Sequence, residues 1–224
     1  MSIKIELWFV LPRRYFVKKT AADLPESILD SLSSIPHLDP EDFPNIDLYM
    51  DQVTTFMETH LSAGKRSPED KILTKTMINN YAKNKLLPPP EKKRYSKEHL
   101  LMLIFIYYFK NFLSISDIQK LTGLITEKHF QSDDGIDMTY IYKEVLKAIE
   151  NESFYLQKDL WKRYTMAEET FNEVPEEDRE FFKTFSFICL LSFDIYMKKI
   201  MVERLIDTID FPKNGQDTSG KKPK

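Results

Sequence analysis

The sequence is poor in the residues on which most metal, disulfide and phosphate sites depend. Cys189 is the single cysteine among 224 residues, which excludes an internal disulfide framework and any site that needs a cysteine pair. The four histidines are scattered, without the i, i+4 spacing of a helical zinc site. The five glycines form no phosphate-binding loop and no Gly-x-Ser-x-Gly motif. We therefore expect no metal, no cofactor and no catalytic residues, and a protein that is not an enzyme.

Long hydrophobic runs are also missing. The apolar run at residues 100–109 is ten residues long, whereas a bilayer span needs about 20. Residues 7–11 are apolar but precede Arg13 and Arg14, which reverses the order of a secretory signal. We expect a cytoplasmic protein without a membrane partner. Cys189 lies in an apolar stretch, which predicts a buried and inert thiol.

The composition predicts a mainly helical globular fold. Hydrophobic residues make up 42% of the chain and charged residues 30%, and prolines cluster between helical patterns. We divide the chain into an N-terminal arm and connector (1–44), a first helical domain (45–125), a C-terminal helical bundle (126–210) and a disordered tail (211–224). Within the arm, the alternation at residues 3–7 fits a short strand or a loosely attached arm, and residues 25–33 favour a short helix.

Positive charge is concentrated in one segment of an otherwise acidic chain. Residues 65–99 hold ten Lys or Arg and four Asp or Glu, which is a local net charge of +6. Because the whole chain carries −3, the remainder carries −9. An acidic body with one basic segment favours local binding to a polyanion, although charge also fluctuates along chains that bind nothing.

The basic segment contains an amphipathic helix at residues 74–85, with Thr74 as its expected N-cap. Five residues share its expected inward side: Met77, Ile78, Tyr81, Ala82 and Lys85. Amides and cations occupy the outward side, where they can meet base edges and phosphates in a nucleic-acid groove. The candidate DNA contacts on this helix are Lys75, Thr76, Asn79, Asn80 and Lys83. An ordinary solvated helix has the same pattern, and this helix alone favours that plainer interpretation.

A proline break and a basic turn follow the helix. Three prolines at 88–90 require the helix to stop by about residue 87, since proline lacks an N–H and disfavours helix in the residue before it. Lys92, Lys93 and Arg94 then place three consecutive cations on a short connection. These three residues complete the candidate DNA-contact set.

Two further helices support this stretch. Ser96 is the expected cap of a helix whose residues 100–109 are all apolar or aromatic, which predicts burial on nearly every side. Ser114 and Asp117 have capping-box spacing at the start of the next helix. Its expected core stripe is Ile115, Ile118 and Leu121. A helix at 45–61 precedes the segment, with this expected inward stripe: Leu48, Tyr49, Gln52, Val53, Phe56 and Met57.

The C-terminal part is expected to hold two or three long helices, at 138–151, 153–171 and 176–209. Residues 126–137 are predicted as the loop before them, and Pro175 marks the break before the last helix. That helix is rich in aromatic residues, which could enclose an apolar ligand or simply pack on each other. We find no sustained heptad in this region.

Residues 77–121 resemble the winged helix-turn-helix of MerR-type regulators. The resemblance rests on Ile78-Asn79-Asn80-Tyr81, on Leu86-Leu87-Pro88, on Lys92-Lys93-Arg94-Tyr95 and on Ser96-Lys97-Glu98. With the segment at 47–53, residues 77–81 also resemble a bacterial family known as domain of unknown function 1836, over roughly 46–206. Asn79 and Asn80 stand where the regulators usually carry an arginine and a tyrosine. The loop at 62–71 is longer than a tight helix-turn-helix turn.

The resemblance implies a mainly α fold, with a MerR-like winged helix-turn-helix followed by the C-terminal helical bundle. It also implies double-stranded DNA as partner and a homodimer joined by the C-terminal helices. We expect a sequence-specific transcriptional regulator. The alternative is a helical protein-interaction or small-ligand module that does not bind DNA.

Overall fold

The computed structural model describes residues 24–33, 38–132 and 135–210, and within them the chain is mainly helical, as predicted. Seven α-helices and two short strands follow one another there: α1 Leu24–Ser33, β1 Leu48–Tyr49, α2 Met50–Leu61, α3 Lys75–Lys83, β2 Arg94–Tyr95, α4 Lys97–Phe109, α5 Ile115–His129, α6 Met138–Glu168 and α7 Glu176–Thr208. Short 3-10 turns occupy Pro40–Asp42 and Ser62–Gly64. The expected N-terminal strand and C-terminal tail lie outside the described residues.

α4 is the centre of the main core. Its residues from Leu100 to Ile104, together with Ile106, are at most 2% exposed, so nearly every side of the helix is covered. This confirms the prediction for the apolar run, except that Tyr108 is 40% exposed. A helix that is covered on most sides draws its stability from tertiary packing. α4 therefore serves as the support on which the surrounding elements pack.

The main core draws residues from both sides of α4 in sequence. Val53 and Met57 of α2 and Ile78 of α3 are completely buried against it. Met138 and Tyr142, from the first turns of α6, belong to the same cluster. The Tyr142 hydroxyl donates a hydrogen bond to the Leu38 carbonyl, 2.9 Å away, and burial raises the Tyr142 pKa.

A two-stranded antiparallel sheet joins the start of α2 to the chain before α4. Leu48 lies opposite Tyr95, and Tyr49 lies opposite Arg94. Leu48 and Tyr95 are buried, whereas Tyr49 and Arg94 are exposed, as expected for side chains that alternate across a strand. The prediction of one helix from residue 45 was wrong here, because residues 48–49 are extended and α2 begins at Met50.

α6 and α7 form a long hairpin with a second, smaller core. Leu160, Ala167 and Phe187 are buried in it, and Ile28 and Leu29 of α1 pack against them. The Arg163 guanidinium joins the two helices, since it pairs with Asp159 at 2.6 Å and with Asp194 at 3.0 Å. Of the two or three long helices expected here, the structure has two. The break expected near residue 152 is absent, because no proline or glycine interrupts this stretch and α6 continues to Glu168.

Other expectations need smaller corrections. α5 extends to His129, so the loop before α6 is shorter than predicted. Ser114 caps α5 as expected, because its Oγ accepts a hydrogen bond from the Asp117 N–H at 3.1 Å. In the expected core stripe of α5, Ile118 is buried but Ile115 is 58% exposed. Cys189 is exposed, so the prediction of a buried thiol was wrong. Among the described residues, no helix has both the length and the apolar character to cross a bilayer.

Candidate functional site

The outward side of α3 carries its candidate contacts in solvent. All five of them are exposed: Lys75, Thr76, Asn79, Asn80 and Lys83. Lys75, Asn79 and Lys83 follow one another at intervals of four, so they form one row along the helix. Ile78, which points the other way, is completely buried. α3 therefore presents a narrow surface of cations and amides while its opposite side is anchored in the core.

The start of α3 is fixed by a cap and by a contact with α4. Thr74 Oγ1 accepts a hydrogen bond from the Met77 N–H at 3.2 Å, as predicted for an N-cap. The Lys110 ammonium, at the end of α4, donates to the Ile72 carbonyl at 2.7 Å and lies 4.9 Å from the centre of the Tyr107 ring. Partial burial lowers the pKa of Lys110. These contacts hold the segment that leads into α3 against the main core.

A Schellman motif ends α3. The Leu86 N–H donates to the Tyr81 carbonyl at 2.9 Å, and the Lys85 N–H donates to the Ala82 carbonyl at 3.1 Å. Lys85 occupies the left-handed position of the motif with φ of 58°, where glycine is usual. Lys85 is exposed, so its predicted place on the inward side was wrong. Leu86 and Leu87 are 1% exposed and return the chain to the core.

The three cations of the candidate wing lie at a tight turn that leads into β2, whose first residue is Arg94. The Arg94 N–H donates to the Glu91 carbonyl at 2.8 Å, which closes the turn. Lys92 and Lys93, the two central residues, have φ of 48° and 65°. Positive φ at both positions is the mark of a type I′ turn, which normally carries Asn-Gly. Lys92, Lys93 and Arg94 are all exposed.

The first turn of α2 lies between the basic turn and α3. On one side, Tyr49 is the cross-strand neighbour of Arg94. On the other side, the Asp51 carboxylate forms an ion pair with the Lys75 ammonium. The start of α2 therefore touches both parts of the candidate set and fixes their relative position. The structure therefore brings both Arg94 and Lys75 next to the start of α2.

His99 connects the segment that follows the basic turn to the main core. Its Nδ1 accepts a hydrogen bond from the Ser96 N–H at 3.0 Å, which forms a capping box with the Ser96 side chain at the start of α4. The ring packs edge-on against Tyr95 at 5.5 Å and Phe130 at 4.8 Å between centroids. Burial lowers the His99 pKa, although the Pro89 and Pro88 carbonyls oppose this shift.

Two residues at this surface escaped the sequence prediction. Tyr49 was expected on the inward side of a helix, but it belongs to β1 and is 58% exposed. Leu48 and Tyr49 are both apolar, so the sequence shows no alternation here that could have identified the strand. Asp51 was not singled out, because a single carboxylate at a helix start gives no sign of its partner. Within the described residues, no group of acidic, histidine or cysteine side chains could hold a metal ion.

Comparison with known proteins gave a family match for part of the chain. The model of the family described as a domain of unknown function, DUF1836, matches residues 38–145. This confirms the expected resemblance to that family over this segment, which contains every candidate contact and the first turns of α6. The match ends well before residue 206, so most of α6 and all of α7 lie outside it. Neither the curated proteins nor the solved structures gave a match.

Proposed function

We propose that this chain is a sequence-specific DNA-binding protein and acts as a transcriptional regulator of MerR-like type in the cytoplasm. In this proposal α3 enters the major groove, with Asn79 and Asn80 nearest the base edges. Lys75 and Lys83 contact phosphates, and Thr76 lies beside them. The turn at Lys92, Lys93 and Arg94 is the wing that grips the backbone or the minor groove.

One observation carries the proposal. The eight candidate residues are all exposed, and the ion pair that Lys75 forms is with Asp51 of α2 rather than with the α6–α7 hairpin. The β1–β2 pairing and the Asp51–Lys75 ion pair connect the wing and α3 through one end of α2. A surface of amides flanked by cations, on rigid elements, matches the separation of base contacts from phosphate contacts that DNA-binding proteins use.

Binding to bulk genomic DNA at several salt concentrations tests the electrostatic part. We expect the unmodified chain to bind with a dissociation constant of about 10⁻⁴–10⁻⁶ M or tighter at physiological salt. Replacement of Lys92, Lys93 and Arg94 with alanine weakens binding to all sequences. The slope of log K against log salt falls by about one for each phosphate contact that is lost.

A matched control removes the same charge elsewhere. Lys128, Lys143 and Lys162 are exposed on α5 and α6, and their replacement with alanine also lowers the net charge by three. This control should retain the salt slope of the unmodified chain. Equal slopes in the wing variant, the control and the unmodified chain would remove the wing from the proposal.

Selection of bound fragments from random duplex DNA tests sequence specificity. Recovery of one motif supports base readout by α3, and a palindromic motif supports the expected homodimer. Asn79→Ala and Asn80→Ala should each relax the preference at one or two positions. The loss of discrimination per base pair is expected at about 1–3 kcal/mol, the value of a bidentate amide–adenine contact.

The second candidate is a helical protein-interaction module without DNA binding. It is favoured by the apolar side chains that α6 and α7 expose, among them Tyr155, Phe193 and Ile195 at 62–65%. The absence of DNA retention at low salt, together with self-association or capture of a protein partner, would support this function. A small apolar molecule that copurifies with the chain would support the ligand-binding form of the same alternative.

A further inference from the structure

Tyr49 is an exposed aromatic residue next to the wing. It is 58% exposed, and its cross-strand neighbour in the two-stranded sheet is Arg94. Directly opposed residues in an antiparallel pair send their side chains to the same side of the sheet, with Cβ atoms about 4.5–5.5 Å apart. Tyr49 is not among the candidate contacts, yet it shares an exposed side of the sheet with one of them.

Tyr49 is also close to α3. Two peptide units join Tyr49 to Asp51, which limits the distance between their Cα atoms to about 7 Å. The Asp51 carboxylate forms an ion pair with Lys75, the first residue of α3. Tyr49 therefore belongs to the short stretch of chain that connects the wing with the start of α3.

The position of Tyr49 is fixed by its backbone. Its N–H donates a hydrogen bond to Gln52 Oε1 at 2.9 Å, and its place opposite Arg94 is set by the register of the sheet. Leu48, the residue before it, is buried in the main core. Side chains on strands and helices are held more precisely than side chains on loops. The exposed ring of Tyr49 is therefore presented to solvent from a rigid base.

A duplex that meets both α3 and the wing must pass one strand over the residues that connect them. The major groove of B-DNA is about 12 Å wide and the minor groove about 6 Å wide, and adjacent grooves share the sugar-phosphate strand that separates them. With α3 in the major groove and the wing at the neighbouring minor groove, this shared strand crosses the stretch that contains Tyr49.

We propose that the Tyr49 hydroxyl donates a hydrogen bond to a phosphate oxygen of this shared strand. The proposal rests on the DNA binding proposed above and adds a ninth contact residue to it. Tyrosine is one of the residues that hydrogen-bond to the DNA backbone, where contacts fix the register of a protein on the duplex. Because the phenol is uncharged, Tyr49 positions the strand without neutralising a phosphate.

The charges beside Tyr49 are compatible with a phosphate. Asp51 is the nearby acid on α2, and its ion pair with Lys75 has no net charge. Arg94 forms no ion pair among the described residues, so its charge remains available to an anion. A phosphate at this place would therefore meet a cation and a neutral hydrogen-bond donor side by side.

Removal of the hydroxyl is the first test. Tyr49→Phe keeps the ring and should lower the affinity for genomic DNA fragments about tenfold, as expected for the loss of a hydrogen bond to a charged group. The loss should be the same for all sequences, because phosphate contacts carry no sequence information. The salt slope should not change, since no charge is lost. Tyr196→Phe is the matched control, because Tyr196 is 57% exposed on α7, and it should bind like the unmodified chain.

A gain of charge tests whether a phosphate is within reach of this position. Tyr49→Lys introduces an ammonium group, so the slope of log K against log salt should become steeper by about one. Tyr196→Lys adds the same charge on α7 and should leave the slope unchanged. Equal slopes for Tyr49→Lys and Tyr196→Lys would place Tyr49 away from the DNA and overturn the contact.

Neutralised phosphates locate the contact on the duplex. In a duplex recovered by the selection described above, a methylphosphonate replaces one phosphate at a time. The unmodified chain should lose affinity at a phosphate between the major-groove tract and the minor-groove tract that it protects. Tyr49→Phe should lose less at that phosphate, because both changes weaken the same interaction. Additive losses at every phosphate would contradict the contact.

The outcomes distinguish this contact from the proposed function. An unmodified chain that retains no DNA at low salt would overturn both. If the unmodified chain binds DNA and Tyr49→Phe binds as well as Tyr196→Phe, the contact alone is overturned and the eight candidate residues are unaffected. A Tyr49→Phe variant that keeps its affinity but selects a different motif would make Tyr49 a base-reading residue, which also overturns the phosphate contact.

Discussion

Asp51 and Lys75 form an ion pair between the first turn of α2 and the first turn of α3, and both side chains are well exposed. Lys75 is also the first cation in the row that leads to Asn79 and Lys83. A carboxylate therefore neutralises part of the surface that we assign to DNA. The Asp51 side chain fixes α3 against α2, and its charge opposes the approach of a phosphate.

Replacement of Asp51 with asparagine should strengthen DNA binding. Lys75 is then available to a phosphate, so the dissociation constant falls about two- to fivefold and the salt slope becomes steeper by about one. Fluorescence anisotropy over a salt series measures both quantities. Asp159→Asn is the control, because it removes the same charge and an ion pair from α6. A variant that binds no better than the control would show that Lys75 has no part in binding.

Substitutions in the basic turn should have opposite effects on stability and on DNA binding. Lys92 and Lys93 both have positive φ, which costs residues with a side chain about 1–2 kcal/mol each. The double variant Lys92→Asn, Lys93→Gly suits a type I′ turn and should raise the free energy of unfolding by about 1 kcal/mol. DNA binding should weaken, since two cations are lost. The double variant Lys92→Ala, Lys93→Ala is the control. It should lose the same DNA affinity, but its free energy of unfolding should not rise.

The left-handed position at the end of α3 can be tested by its effect on stability. Lys85→Gly should raise the free energy of unfolding by about 1 kcal/mol, because φ of 58° suits glycine in the Schellman motif. Lys83→Gly is a control within the same helix and should lower the free energy of unfolding by about 1 kcal/mol. Urea unfolding measures both variants. Equal destabilisation by the two glycines would mean that the left-handed position is not formed in solution.

His99 should make stability depend on pH. Burial lowers its pKa in the folded chain, so the unfolded chain takes up a proton first as the pH falls. The contribution of neutral His99 to the free energy of unfolding is present above the ordinary histidine pKa of about 6.5. It is lost progressively as the pH falls below that value. Protonation also removes the Nδ1 lone pair that accepts the Ser96 N–H.

The measurement compares unfolding free energies at about pH 7.5 and pH 5.5 for the unmodified chain and for His99→Gln. Glutamine can accept the same capping hydrogen bond but does not titrate. The difference in unfolding free energy between the two proteins should therefore become smaller as the pH falls. Parallel pH profiles for the two proteins would exclude His99 as the titrating group.

Local signals were enough to predict the elements around α3 and α4. Thr74 and Ser114 cap their helices with the expected hydrogen bonds. α3 stops at Lys83, which agrees with the expectation that the helix ends by about residue 87. The apolar run of α4 was correctly predicted to be buried, since ten consecutive apolar residues leave no side for solvent. Caps, prolines and apolar runs act within a few residues, so they can be read without knowledge of the fold.

Contacts between distant residues were the part that the sequence could not predict. β1 contains two residues, and Tyr95, which pairs with Leu48, lies 47 positions later, so the pairing leaves no local pattern. The turn at Lys92 and Lys93 lacks the Asn-Gly signature of its conformation. Exposure of Cys189 depends on which side of α7 the hairpin covers, and an apolar stretch alone does not reveal that. Whether the eight exposed candidates contact DNA stays a prediction.

The hydrogen bond from Tyr142 to Leu38 joins residues that are 104 positions apart and links the segment before β1 to the start of α6. The segment matched by the family model starts at one of these residues and stops three positions after the other. A fragment that begins after Leu38 would leave the Tyr142 hydroxyl without its acceptor, and one that stops before Tyr142 would leave the Leu38 carbonyl without its donor. Expression trials of shorter pieces should therefore keep both Leu38 and the first turns of α6.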